Sequence, residues 1–133
     1  MRWLERILSP EKTTPLQGTP LTRRQKNYAA ESGYAYEYFY DGFRDVAGVR
    51  EHWFNVSGDR KQWFQTAVRV PDVAVRAWEI AHDRALAANE RYAIAKMALF
   101  QAFDARETPD GLREPVLVEA GQVQELLGRL GIE

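Results

Sequence analysis

The 133-residue chain has no cysteine. That excludes disulfides, thiolate nucleophiles and cysteine-based zinc sites together. Charge of either sign is not in excess: 18 Lys and Arg face 19 Asp and Glu, a formal net charge of −1. A dedicated nucleic-acid binder carries a basic field, so this balance argues against one. No apolar run approaches the ~20 residues that span a bilayer, so integral membrane insertion is not expected. Glycine-rich phosphate loops are missing too; Gly48 and Gly58 stand alone. None of Ser9, Ser32 and Ser57 sits in a G-x-S-x-G elbow. Arg2, Glu5 and Arg6 interrupt the apolar residues of the first turns, which is unlike a secretory signal. With no cysteine, a cytoplasmic protein is the expectation. No catalytic residue, metal or cofactor is nominated.

What is present is an organising helix. Between Tyr92 and Phe103 of the stretch Glu90–Asp104, only Lys96 and Gln101 are polar. The stretch lacks Gly and Pro and is rich in helix formers. Apolar nearly all round, it is expected to be buried on most sides.

The remaining chain divides around it. Trp3, Leu4, Ile7 and Leu8 have helical spacing and stop at Ser9-Pro10, and the next stretch is punctuated by Pro15, Gly18 and Pro20. Residues 1–20 therefore read as an amphipathic arm and a Pro/Thr-rich linker, and residues 21–133 as one α+β domain. Thr22-Arg23-Arg24-Gln25 fits a capping box, which predicts a short helix to about Ser32. Tyr34, Tyr36, Tyr38 and Tyr40 alternate as in a strand. Further strands are expected at about Arg50–Val56 and Gln62–Val70, joined by a loop at Ser57–Arg60. Pro71-Asp72 opens a helix over Val73–Leu86, with Val73, Ala77, Ile80 and Ala81 on one side and Trp78 nearby. Thr108–Gly111 is a turn and Pro115–Val118 a short strand. Gly121–Leu130 is a helix that Gly131 ends. The fold expected is α+β: an antiparallel sheet of three to four strands packed on the buried central helix, with short N- and C-terminal helices.

Several residue groups could carry function. Glu79 and His82 share a helix face, but a di-iron bundle needs a second such motif and further carboxylates. Lys96 in a buried helix needs a carboxylate partner, with Glu37 or Asp41 across the sheet as candidates, or it snorkels along a wet stripe with Asn89. A small enzyme using Lys96 or His82 is one alternative. Arg23, Arg24 and Lys26 form the densest basic cluster and, with Arg69, are the nucleic-acid alternative. The tyrosine row reads as a sheet face packed on helices, each hydroxyl reaching the rim.

The alternation gives the sheet two faces. Phe54, Val56, Phe64, Thr66, Val68 and Val70 share the core side. Glu37, Phe39, Trp53, Asn55, Trp63, Gln65 and Arg69 share the outer side. Tryptophan and arginine among polar groups is an interface composition. The function expected is a small non-catalytic accessory module. It would bind a protein partner, or a second copy of itself, through Trp53, Trp63, Arg69, Gln65, Phe39 and Glu37.

Gln65–Asp104, QTAVRVPDVAVRAWE…ANERYAIAKMALFQAFD, resembles a ribbon-helix-helix DNA-binding unit: strand, Pro-Asp, helix, break, helix. The resemblance covers less than a third of the chain. It implies a strand free to pair with a second subunit in the major groove.

Overall fold

The computed structural model describes residues 15–132. The arm expected over residues 3–8 lies outside them. Four strands come one after another as an antiparallel meander: β1 (Lys26–Ala29), β2 (Ala35–Val46), β3 (Val49–Ser57) and β4 (Phe64–Pro71). Helices α1 (Asp72–His82) and α2 (Ala88–Ala105) come next, then a 3-10 turn at Pro109–Arg113. The two-residue strand β5 (Val116–Leu117) and helix α3 (Ala120–Arg129) end the chain. The sheet order is β1-β2-β3-β4-β5.

The class is α+β, with two corrections to the expected sheet. First, the helix predicted from Thr22 to about Ser32 is absent; the chain runs extended into β1. The Gln25 side chain does not cap a helix but donates to the Glu37 carboxylate. The Tyr28 ring stacks on Phe100 at 4.2 Å, and its hydroxyl donates to Asp104 at 2.8 Å. Tertiary contacts with the central helix thus outweigh a weak local cap signal. Gly33, at φ +98°, closes the β1–β2 turn. Second, β5 runs parallel to β4, so the five-stranded sheet is mixed. A parallel partner is possible because α1 and α2 intervene and return the chain to the same end.

The β2–β3 connection is a two-residue turn, Ala47-Gly48, with φ of 51° and 80°. Positive φ at both positions is what a tight hairpin with native twist requires. Upstream, Tyr40 pairs with Phe54 and Gly42 with Trp53, which leaves Asp41 as an extra residue in a bulge. Gly42 is needed here: at φ +117°, an added Cβ would lie 2.5 Å from the Gln17 carbonyl oxygen. Gln17 itself exchanges backbone hydrogen bonds with Phe43, so residues 15–20 of the expected linker run along β2.

The helices pack on the sheet face that carries Tyr36, Tyr38, Phe54, Val56, Val68 and Val70. From α2, Ile94, Ala95, Ala98, Leu99, Ala102 and Phe103 are buried there. Phe103 stacks on Tyr36 at 4.1 Å. Tyr92, Met97 and Phe100 flank this stripe, half-buried and packed against the core, and Lys96 is half-buried as well. A two-layer fold has nothing to place above the outward side of α2, so the all-round burial expected of this helix is only half met. Asp83, in the left-handed conformation, ends α1. Asn89 falls inside the first turn of α2 and does not cap it; the Glu90 carboxylate accepts the Ala87 N–H at 2.9 Å. In α1 the buried residues are Ala74, Val75 and Trp78. At the chain end, Gly131 at φ +76° and the 3.0 Å bond from Ile132 N to Leu127 O form the expected helix stop.

Candidate functional site

A concavity lies on the helix side of the sheet, beside the start of α2. It has a volume of about 540 Å³, within the ~300–1,000 Å³ common for small-molecule sites. Tyr38 and Tyr40 of β2 and Tyr92 of α2 give it aromatic walls, with Phe43 beyond the bulge. Strand alternation aims both β2 tyrosines at this side. Burial pushes the Tyr38 hydroxyl up to about 12 and raises Tyr40 and Tyr92 as well, so all three stay protonated and able to donate.

His52 forms part of the wall and is 2% exposed. Its Nδ1 lies 2.9 Å from the Tyr40 hydroxyl, while Nε2 has no hydrogen-bond partner among the described residues. Burial, then the charges of Arg50 and Arg91, lowers the imidazole to about 3. It is a neutral ring. When Tyr40 donates to Nδ1, the proton of the ring sits on Nε2 as an unused donor.

Among the described residues, the charged groups of the wall are all cationic: Arg24, Lys26 and Arg50. Arg50 is neutralised by Asp45, at 2.8 and 3.1 Å, and lies over the Phe43 ring. Arg24 and Lys26 have no carboxylate partner among the described residues. Lys96 stands near Lys26; burial first, and then the charge of Lys26, lower its pKa. The expected partners of Lys96, Glu37 and Asp41, cannot serve. Glu37 points to the opposite sheet face and Asp41 is tied to Arg23 and Gln65. Two ammonium groups close together with no counterion among the described residues make a place that favours an anion. The first turn of α2 supplies Ala88 and Asn89 to the same wall, at the positive end of the helix dipole.

The outer face has the register that the alternation predicts. Phe39, Asn55 and Gln65 lie abreast, Trp53 is opposite Gly42 and Ala67, and Glu51 is opposite Arg44 and Arg69. The Trp63 ring, just before β4, meets Phe39 at 5.4 Å. Trp53 lies under the Arg44 guanidinium at 4.8 Å. The carboxylates are sunk between the long side chains. Glu37 is 5% exposed and held by Gln25 and Arg60; Glu51 is 7% exposed, with Arg44 and Arg69 at 3.5 and 3.3 Å. The six residues expected to bind a partner thus share one face, as a network whose charges are already paired.

The basic cluster is split. Between residues 23 and 26 the extended chain alternates. Arg23 lies over the Phe39 ring at 4.0 Å on the outer side; Arg24 and Lys26 turn to the cavity. Arg69 is on the outer face with Glu51. β4 pairs with β3 on one side and β5 on the other, so it is not the free ribbon that the ribbon-helix-helix resemblance implies. His82 stacks on Trp78 at 4.1 Å with Nδ1 2.9 Å from the Trp78 carbonyl, and Glu79 accepts the Leu86 N–H. The described residues contain no group of three His, Asp or Glu that could hold a metal. No described helix is long and apolar enough to cross a membrane.

Sequence reasoning missed the cavity because its parts come from four separate stretches. The signal was present in the tyrosine row, but the row reads equally well as core. Compared with known protein families, curated proteins and solved structures, the chain matches none.

Proposed function

We propose that this domain is a non-catalytic binding module whose ligand is a small anion with a flat, apolar body. The observation that carries the reading is an aromatic cavity whose charged lining, among the described residues, is entirely cationic, with no ion pair to Arg24 or Lys26 among them. The rings would take the flat body, and Arg24, Lys26 and the start of α2 the negative group. The test uses 1-naphthoate and its uncharged amide as probes, followed by calorimetry and by shifts of the tyrosine and His52 resonances. The acid binds more tightly than the amide, and the R24E/K26E variant removes that preference. Equal affinity for the two probes, or no binding of either at millimolar concentration, defeats the reading.

A second reading is favoured by the meeting of Trp63 with Phe39 on a sheet face that no described helix covers. In it the module docks a protein partner through Phe39, Trp53, Trp63 and Arg69. The Trp63→Ala variant then weakens that complex by more than ~2 kcal/mol. Nucleic-acid binding is the less favoured alternative, since its four basic residues are divided between two faces.

A further inference from the structure

Two lysines from separate elements meet at the edge of the cavity. Lys26 of β1 is abreast of Tyr38 in the sheet and lines the cavity. Lys96 of α2 does not line it, but its amine stands beside that of Lys26 and 5.7 Å from the centre of the Phe100 ring. Tyr92 and Phe100 lie one turn before and one turn after Lys96 on the same helix face. Among the described residues no carboxylate is paired with either amine. Asp104, two turns further along α2, is taken by the Tyr28 hydroxyl and the Glu31 amide. Lys26 is exposed and Lys96 half-buried, so Lys96 is the one for which holding a charge costs more.

Burial first, then the charge and the close approach of Lys26, lower the Lys96 pKa. An ammonium has three donors and no acceptor, so a hydrogen bond between two lysine amines forms only when one of them is neutral. A neutral lysine amine has a free lone pair and is a nucleophile. An ordinary lysine, with its pKa at 10.5, offers that form in only about one molecule in a thousand at neutral pH. We propose that Lys96 is a carbonyl-capture site, an amine that forms an imine with aromatic aldehydes. The Nζ lone pair attacks the carbonyl carbon, and the π pair of the C=O bond passes to oxygen. The nitrogen gives up its two protons, the oxygen leaves with them as water, and a C=N bond remains. No oxidant or reductant is consumed. Tyr92 and Phe100 flank the amine with apolar surface for the ring of the aldehyde, and Lys26 is beside it to protonate the departing oxygen. The capture is stoichiometric, not catalytic. It calls for no affinity of the cavity for 1-naphthoate, so it stands or falls apart from the ligand reading.

The test treats the full chain with benzaldehyde and cyanoborohydride, which reduces an imine to a stable secondary amine. Peptide mass mapping then reads the labelled fraction at Lys12, Lys26, Lys61 and Lys96, the lysines of the chain. At neutral pH Lys96 is labelled several-fold faster than the other three, and its labelling sets in below the ordinary lysine range. In Lys26→Met the labelling of Lys96 slows several-fold and its onset moves up toward that range, because the neighbouring charge is gone. Lys26→Arg keeps the charge and retains the fast labelling. A thermal melt of each variant is the folding control, and the wild-type pattern decides by itself if a variant fails to fold. Equal labelling of the lysines, a lead for any other lysine, no labelling at Lys96, or a Lys96 rate unchanged in folded Lys26→Met overturns the proposal.

Discussion

The Tyr40 hydroxyl lies 2.9 Å from Nδ1 of His52, joining neighbouring strands inside the cavity wall. The imidazole titrates near 3 rather than at its usual 6.5, because it is buried and faces Arg50 and Arg91. An unfolded chain takes up a proton on this ring below about pH 6.5, and the folded chain does not until about pH 3. Stability therefore falls as pH drops through that window, by at most ~1.4 kcal/mol per unit from this group. Glu90, lowered to about 2 by Arg84 and the Ala87 N–H, loses its contribution as pH falls from about 4.5 to about 2, below the window used for His52. Denaturant midpoints between pH 7 and 5 isolate His52. They decline in wild type and are flatter in His52→Gln.

Leu99 is fully buried under the sheet. Leu99→Ala costs ~2–5 kcal/mol, the range for a core leucine that leaves a cavity. Chemical denaturation reads it directly, and an unchanged midpoint would remove α2 from its place as the organising element.

Lys96 separates folding from binding. It has no carboxylate partner among the described residues, and Lys26 repels it. Lys96→Met keeps the stem in place and removes the repulsion, so the melting temperature is unchanged or rises slightly. Affinity for 1-naphthoate falls several-fold in the same variant. A large loss of stability would mean that the ammonium is held by a favourable contact.

Much of this architecture is legible in the residues, and the exceptions have physical causes. Alternating tyrosines, Pro71-Asp72 and the Gly131 stop are local signals that agree with the tertiary structure, so β2, α1 and α3 follow from them. Thr22–Gln25 gives an equally local signal, but Gln25 and Tyr28 find partners in Glu37 and Asp104 and the stretch becomes a strand. The outer face follows from period-two alternation alone. The cavity does not, since Arg24, His52 and Tyr92 are brought together only by the fold and no spacing announces it.

The two outer-face tryptophans differ in what covers them. Trp63 precedes β4 and rests against one ring, whereas Trp53 is mid-strand beneath Arg44 with its indole nitrogen buried. In variants retaining one of the pair, with Trp3 and Trp78 replaced by phenylalanine, acrylamide quenches Trp63 more efficiently than Trp53. Equal and poor quenching would mean that the face is covered in the free protein, and the protein-docking reading would lose its surface.

The meander from β1 to β4 has its strands in chain order, so each pairs with a neighbour that has just been laid down. Only β5 breaks the pattern, returning after both helices to lie beside β4. Early steps of folding thus close short loops, and the one long closure comes last. In an amide-exchange pulse experiment, β2 and β3 are protected first. The Val118 amide, which bonds to the Arg69 carbonyl at 3.0 Å, gains protection with the final phase.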